Sequence, residues 1–587
     1  MTQDWQMLRA NSAIALLSLL LSLEACADHP PSAPTGPATV AAKAAPAADT
    51  YEASSYGLFL AGEAAMDDYH LSRAADYFSR AALAGGGALD LQRKAFLAAL
   101  QSGDVQQAAL LAPSGPGVDE QVLRLGLLVR AVESMAEGKY KDAYALLSGP
   151  DADSAHSAVT ALLAPWAAAG AGNWTGATTA PPDAGDPISA FVAEFDRAQL
   201  CERAGKPADA EAAYKALLVG GDAGGLITVA YGAFLERRGR WSDAAALYHA
   251  AAARMPSDPE FAAAEARANR RGPAPAKTPL KAAAAGALVV PAAGLLAQKQ
   301  DQAALAYLRL ALRLDPENDD AWVLVGDILS VADADAAREA YAHVGPKSDR
   351  YVSARDKLVW SYDNAGDHAT ALQLAQETAA KAPGRDTTIT LAEILRANKD
   401  YAQAIATVSK VIDAEQAQPD WRVYYLRASA YQEAGDWPNA EADLKAALRI
   451  APDEPDLLNF LGYSWIDRGE HLHEALAMVQ AAASAEPQSG AVIDSLGWGY
   501  YRLGDYKQAV DHLEEAVVLD PSDADVNNHL GDAYWRAGRK IEAVYQWKRV
   551  LTLEPNDSLR AAAEAKLASP LGPDAPVLTA PSAQAKP

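Results

Sequence analysis

Few residues in this 587-residue chain have the type and spacing that metal chemistry needs. His471 and His473 are the closest pair among ten histidines. Zinc sites usually combine such side chains with at least one further ligand, and none stands nearby in the sequence. A metal site and a solvated turn both remain open for this pair, and the solvated turn is favoured. We therefore predict no metal and no other cofactor.

The chain has two cysteines, Cys26 and Cys201. Cys201 falls at a position of its helical segment that packs inward, so an inert core thiol is favoured over a nucleophile. The paired acids Glu514 and Glu515 read as solvated side chains on a helix face. Phosphate-binding glycine loops, serine nucleophile elbows, HExxH zinc motifs and kinase signatures do not occur in the sequence. We predict no enzymatic activity.

The elements that position these residues are repeats. Four copies of one pattern fill residues 428–555, spaced by about 34 residues. Each copy has a small residue, an aromatic one three positions later, a glycine, an alanine, a bulky residue and a closing proline. These are Gly497, Tyr500, Gly504, Ala509, Leu513 and Pro521 in the third copy, and Gly531, Tyr534, Gly538, Ala543, Trp547 and Pro555 in the fourth.

This period and order resemble the tetratricopeptide repeat (TPR), a pair of antiparallel helices. Small residues let the two helices of a unit approach closely, and the proline ends the second helix. One such hairpin cannot bury its own apolar face, so units must stack. We expect an all-α TPR solenoid, a right-handed superhelix of about thirteen helix-turn-helix repeats with a candidate division into two arms.

The predicted organisation follows composition and repeat boundaries. It comprises a signal peptide at 1–25, a disordered tether at 26–54, an N-terminal TPR arm at 55–269 with an irregular stretch at 151–187, a linker or irregular turn at 270–282, a C-terminal TPR arm with a cap helix at 283–567, and a disordered tail at 568–587.

The N-terminus has the pattern of an export signal. Arg9 precedes an apolar run at 13–23, which suits a secretory signal. The run ends Leu23–Glu24–Ala25–Cys26, which resembles a bacterial lipobox and implies lipidation of Cys26. An ordinary secretory signal with an incidental cysteine is the alternative. Ala27 after the cysteine resembles the sorting signal of outer-membrane lipoproteins, so we expect a membrane-anchored protein that faces the periplasm.

The net charge of the chain indicates which kinds of macromolecule it could bind. The chain has 51 basic and 76 acidic side chains and a net charge of −25. Nucleic acid is an improbable partner, since no basic stripe is present to displace its counterions. Either the charge only solvates the surface, or it favours basic protein partners.

The TPR resemblance implies a concave wall lined by the first helix of each unit. Aromatic rings, amides and acids at these positions suit a peptide or protein ligand. The alternative is that the aromatic side chains only pack between neighbouring repeats. The candidate groove residues are Arg422, Tyr425, Gln432, Asn459, Tyr463, Asp494, Trp498, Tyr501, Asn528, Asp532 and Trp535.

A closer resemblance covers about the last 130 residues. The segments LNFLGYSWIDRGEHLHEAL, IDSLGWGYYRLGDYKQAVDHLEEAV and VNNHLGDAYWRAGRKIEAVYQWKRVL are similar to those of a proteobacterial family of exported TPR lipoproteins. The family implies an adaptor that binds and activates a periplasmic carboxyl-terminal processing protease, a serine protease, and presents peptidoglycan hydrolases to it. The alternative is an envelope assembly or secretion TPR lipoprotein, pilotin-like or an exopolysaccharide-export factor.

Overall fold

The computed structural model describes residues 54–148, 156–179, 187–219, 224–255, 259–415, 420–553 and 555–569. Within these ranges the chain forms 30 helices and no strand. The predicted signal peptide at 1–25, the lipidation site Cys26, nearly all of the tether and the tail beyond 569 lie outside the described residues. Parts of the predicted irregular stretch, 151–155 and 180–186, lie outside them as well.

The first thirteen helices cover the predicted N-terminal arm, and most of them form consecutive pairs. They are α1 (Ser55–Asp67), α2 (Leu71–Ala84), α3 (Leu89–Ser102), α4 (Val105–Leu111), α5 (Glu120–Ala136), α6 (Tyr140–Leu147), α7 (Ser157–Gly170), α8 (Trp174–Thr178), α9 (Pro187–Arg203), α10 (Pro207–Val219), α11 (Gly224–Arg237), α12 (Trp241–Arg254) and α13 (Pro259–Asn269).

The remaining helices continue the series in the same paired manner. They are α14 (Leu280–Ala297), α15 (Asp301–Leu314), α16 (Asp319–Leu329), α17 (Ala334–Ala342), α18 (Tyr351–Asn364), α19 (His368–Lys381), α20 (Arg385–Ala397), α21 (Tyr401–Ala414), α22 (Trp421–Glu433), α23 (Trp437–Ile450), α24 (Pro455–Arg468), α25 (Leu472–Ala485), α26 (Gly490–Leu503), α27 (Tyr506–Leu519), α28 (Ala524–Arg536), α29 (Lys540–Thr552) and α30 (Asp557–Ala568).

Fourteen consecutive helix pairs account for all described helices except α13 and α30. The sequence predicted about thirteen repeats. The additional pair is α7 with the short α8, which lies in the stretch that had been predicted to be irregular. Its alanine-rich, proline-interrupted sequence lacks the clear repeat pattern and is compatible with either a degenerate helix pair or a loop, and the structure shows the helix pair.

The turn inside a repeat is specified by two adjacent residues. Gly504 has a φ of 85°, a left-handed conformation that glycine adopts without strain. The side chain of the next residue, Asp505, accepts a hydrogen bond from the backbone N–H of Gln508 at 3.2 Å and so caps α27. The same glycine–aspartate pair ends one helix and starts the next at 103–104, 366–367 and 435–436.

The small residue of the repeat lies where its two helices cross. A Cβ atom added to Gly497 would lie 2.6 Å from Cγ of Leu513. The corresponding distance from Gly531 to Cδ1 of Trp547 is also 2.6 Å. Since real Cβ atoms do not come this close, glycine is required for the bulky partner to fit. The small and bulky residues that recur at this spacing in the sequence thus contact each other where the paired helices cross.

The pair α14–α15 packs back onto the first arm. Helix α14 contacts α7 and α9, and α15 contacts α3, α4 and α5, so one hydrophobic core includes both regions. Arg313 on α15 forms a bidentate ion pair with Glu133 on α5, with both N–O distances 2.7 Å. Arg309 Nε donates to the carbonyl oxygen of Gln101 on α3 at 3.1 Å. The segment at 272–279 has no helix, but the core continues across it, and the two-arm division stays a prediction.

Among the described residues, α14 is the one helix long and apolar enough to span a membrane by length and composition alone. It packs between α15 on one side and α7 and α9 on the other. A helix that has neighbours around much of its circumference is expected to be apolar on most faces. One third of the helix is buried inside the protein, so its packing accounts for part of this apolar composition.

Candidate partner-binding groove

The predicted groove residues lie on the first helices of the last four repeats. Helices α24, α26 and α28 contact one another in order, although each is separated in sequence by the second helix of its own repeat. Residues at equivalent positions of successive repeats therefore become neighbours. The structure brings Asp494, Trp498 and Tyr501 of α26 beside α28.

A stack of three rings occupies the middle of this strip. Trp498 lies parallel to Tyr501, with ring centroids 4.5 Å apart, and to His529 of the next repeat, with centroids 4.1 Å apart. The indole Nε1 of Trp498 is buried and has no hydrogen-bond partner among the described residues. The contact between Trp498 and His529 therefore supports the alternative, in which these rings pack between neighbouring repeats. A role for Trp498 in binding stays a prediction.

His529 was not selected from the sequence, yet it links two repeats. Its Nδ1 lies 3.0 and 2.9 Å from the two carboxylate oxygens of Asp494. Burial alone would lower the pKa of His529, but the carboxylates of Asp494, Asp532 and Asp525 oppose this, and the net shift of the pKa is upward. When it is protonated, this imidazole neutralises part of an acidic strip. The signal available in the sequence was its position one repeat after Asp494, next to a predicted groove residue.

The C-terminal end of the strip is covered by the cap helix α30. Lys566 Nζ donates to Oδ1 of Asn528 and Oδ2 of Asp532, each at 2.8 Å. Asp532 also accepts from Nε1 of Trp547 at 2.9 Å. Asn528 and Asp532 are both buried. A partner would have to displace Lys566 to reach them, which the groove prediction did not anticipate.

Trp535 lies beside the same end. Its ring centroid is 5.6 Å from that of Trp547, and Lys540 Nζ lies 5.1 Å above the Trp535 ring. This residue is half-buried. The structure does not bring Trp535 into the stack of Trp498.

The N-terminal end of the strip is more open. Arg422 is exposed, with its guanidinium 4.5 Å from the ring of Trp421. Tyr425 meets Phe460 of the next repeat edge to face at 5.3 Å, and burial raises the pKa of its hydroxyl to about 12. Gln432 is exposed and accepts a hydrogen bond from Ser464 at 3.2 Å.

Asn459 and Tyr463 lie between these ends on α24. The Oδ1 atom of Asn459 is buried without a hydrogen-bond partner among the described residues. Burial raises the pKa of Tyr463, and the nearby carboxylates of Asp467 and Asp494 raise it further. The strip as a whole offers aromatic surface to a ligand, whereas its acidic groups Asp494 and Asp532 are buried against His529 and Lys566.

The other candidate residues lie apart from the strip. Cys201 is buried in the core of α9–α13, and burial raises the pKa of its thiol, which disfavours the reactive thiolate. His471 and His473 are exposed, and His471 packs against Trp465 with ring centroids 4.7 Å apart. In the part of the chain that the structure describes, no cluster of three or more His, Cys, Asp or Glu residues could hold a metal ion.

Comparison with known proteins agrees with the helical pairs. Profiles described as tetratricopeptide repeat match residues 357–420 and 425–490, and one described as TPR repeat matches residues 499–538. A TPR repeat-containing protein of Pseudomonas aeruginosa, PA4667, is 28% identical over 187 residues, which are 32% of this chain. The match spans only 31% of that relative's length.

Two solved structures show loose likeness. The anaphase-promoting-complex assembly Cut9–Hcn1 is 17% identical, with a TM-score of 0.37, over 88% of this chain and 96% of the other. MamA is 26% identical, with a TM-score of 0.24, over 30% of this chain and 93% of its own. Neither superposition is close enough to support a functional inference.

Tetratricopeptide repeats indicate a protein–protein interaction scaffold, and such scaffolds are typically non-catalytic. The helix pairs, the glycine–aspartate turns, the crossings at Gly497 and Gly531 and the matched profiles agree. Within the residues that the structure describes, the chain is an all-α solenoid of helix pairs, and residues 357–420, 425–490 and 499–538 match tetratricopeptide repeats.

Proposed function

We propose that this protein is a lipid-anchored adaptor of the bacterial envelope that binds and activates a periplasmic carboxyl-terminal processing protease and presents peptidoglycan hydrolases to it. Lipidated Cys26 holds it at the outer membrane. The proposal is supported by the resemblance of the last three repeats to exported TPR lipoproteins. A bacterial relative with TPR repeats is consistent with it.

The observation that carries the proposal is the strip on α22, α24 and α26. In the first arm, the helices α3, α5, α7 and α9 are contacted by the chain's own α14–α15 pair. The first helices of the last repeats have no comparable covering pair among the described residues, apart from the contact of α30 with α28. Aromatic side chains together with the exposed Arg422 and Gln432 are thus left for a partner on the second arm.

Such a scaffold acts by proximity. Two proteins bound to one rigid array meet at an effective concentration in the millimolar range, far above their concentration in the envelope. If the protease has an inactive and an active arrangement, selective binding to the active one also shifts its population. Neither effect requires catalytic residues in the scaffold.

The test is reconstitution. The purified chain should increase cleavage of a peptidoglycan hydrolase by the processing protease of the same bacterium, and should bind both in surface plasmon resonance. Absence of binding to either protein would overturn the adaptor role. Recovery of secretin or polysaccharide-export subunits in a pull-down would instead support the envelope-assembly alternative.

The lipid anchor has its own test, because Cys26 lies outside the described residues. Cys26→Ser should move the protein from the membrane fraction to the soluble periplasmic fraction. Membrane association that persists in this variant would contradict lipidation at Cys26. This result does not depend on whether the protease is the partner.

A further inference from the structure

The outer face of α29 differs from that of α27, the equivalent helix of the preceding repeat. Ile541 and Tyr545 lie one turn apart and are 73% and 69% exposed. Lys548, on the same face, and Arg549 beside it are also exposed. At the equivalent positions of α27, Lys507 and Asp511 form an ion pair at 2.7 Å. The equivalents of Lys548 and Arg549 are Glu514 and Glu515, so the last repeat presents apolar and basic side chains where the preceding repeat is polar and acidic.

The first helix of the array presents a complementary face. On α1, Tyr56 and Leu60 lie one turn apart and are 70% and 48% exposed. Asp67, eleven residues after Tyr56, returns to the same side of the helix and is exposed, as is Asp68. Here the apolar pair is followed by acidic groups. Two exposed apolar side chains on one face of a helix form a candidate contact surface.

Charge selects between the possible pairings of these faces. Two α29 faces brought together would oppose Lys548 and Arg549 with their own copies. Two α1 faces would oppose Asp67 and Asp68 with theirs. An α1 face against an α29 face covers both apolar pairs and places carboxylates near basic groups. Complementarity thus favours a contact between different faces of two molecules.

We propose that α1 of one molecule docks on the outer face of α29 of a second copy of this chain. Because the two faces differ, the contact is head-to-tail and each dimer keeps one free α1 and one free α29 face. The chain therefore extends into open oligomers rather than closing as a symmetric dimer. An adaptor that oligomerises this way would present several grooves in one row.

Sedimentation velocity of the purified full chain, over a wide range of concentration, tests this contact. The wild type should form dimers and longer species, with the dissociation constant rising roughly tenfold between low and high salt. Tyr56→Glu with Leu60→Glu should be monomeric, and so should Ile541→Glu with Tyr545→Glu. An equimolar mixture of the two variants should form dimers and nothing longer, because each retains one intact face.

Val331→Glu is the matched control, since Val331 is 93% exposed on neither face and its change should leave association intact. Circular dichroism should show unchanged helix content in all variants. If an apolar replacement unfolds the chain, Lys548→Glu with Arg549→Glu is the second variant, and it should weaken association while Asp67→Lys in the same molecule restores it.

Three results would overturn the proposal. One is a wild type that stays monomeric at every concentration. Another is dimerisation of either single-face variant by itself, which would indicate a symmetric contact. The third is wild-type binding to vesicles of anionic phospholipid that is lost in the α29 variant without any self-association, which would assign the basic face to a membrane surface.

Discussion

His529 Nδ1 lies 2.9 Å from Oδ2 of Asp494, although the two residues belong to different repeats. Both side chains are buried, and the imidazole stacks on Trp498 at 4.1 Å. The pair joins α26 to α28 by charge, as Arg237–Glu202 and Lys357–Asp327 join other neighbouring repeats, but here both side chains are almost fully buried. Its strength depends on the protonation of the histidine.

This pair predicts a stability that falls at alkaline pH. The pKa of His529 is raised in the folded chain above its unfolded value of about 6.5. The stabilisation is therefore complete below about pH 6.5 and is lost as the pH rises through the raised folded pKa. Its size is about 1.4 kcal/mol for each unit by which the pKa is raised. Asp494→Asn should flatten the dependence in urea unfolding, and the exposed His471→Ala should not.

Asp196, on α9, should give the stability of the protein a second dependence on pH. It is buried on α9, accepts from Nε1 of Trp166 at 2.9 Å, and burial raises its pKa to about 8. The folded chain keeps a proton that the unfolded chain releases near pH 4, so stability falls between about pH 4 and pH 8. Asp196→Asn should remove this slope and raise the unfolding free energy at pH 7 by roughly 1–3 kcal/mol. A decrease at pH 7 would contradict the assignment, and the exposed Asp511→Asn serves as control.

Replacement by alanine should have opposite effects on the stability of the protein at two different glycines. A Cβ at Gly497 would lie 2.6 Å from Leu513 and 3.2 Å from its backbone nitrogen, whereas a Cβ at Gly286 in α14 would have no neighbour within 4 Å. Gly497→Ala should cost roughly 1–3 kcal/mol by overpacking. Gly286→Ala should gain roughly 0.5–1 kcal/mol from helix propensity. Chemical denaturation of both variants measures the change in the free energy of unfolding. Equal changes in the two variants would contradict the close contact at Gly497.

The sequence was sufficient for contacts that recur with the repeat. Gly497 with Leu513 predicts a crossing because the spacing recurs, whereas the helix cap that Asp505 forms after Gly504 was found in the structure. The docking of α14–α15 on the first arm joins Arg313 to Glu133 across 180 residues, and no periodic pattern specifies such a contact. The capping of Asn528 and Asp532 by Lys566 escaped prediction for the same reason, since it occurs once, at the end of the array.

The Arg313–Glu133 pair predicts how firmly α14–α15 is held. Glu133 is mostly buried, so Arg313→Met would leave its carboxylate without the bidentate partner and should cost roughly 1–3 kcal/mol. Hydrogen exchange should accelerate in α14 and α15 rather than in α26–α29. Arg350→Met is the matched control, because its partner Asp320 is exposed and the pair should contribute little. Uniform acceleration along the whole chain would show that this pair does not hold the hairpin specifically.

Substitution of Trp498 tests whether the strip on α22, α24 and α26 binds partners or only packs between neighbouring repeats. Trp498→Ala removes contacts with Tyr501 and His529 and should destabilise the chain, so it cannot separate the two roles. Trp498→Phe keeps a stacked ring but loses the indole N–H and part of the surface. If the strip binds the processing protease, this variant should weaken that interaction about tenfold in surface plasmon resonance with little change in melting temperature. The matched control is Trp322→Phe, whose ring stacks on His343 at 3.9 Å in a distant repeat and should not affect binding. A lower melting temperature for Trp498→Phe with unchanged affinity would assign the residue to packing between repeats.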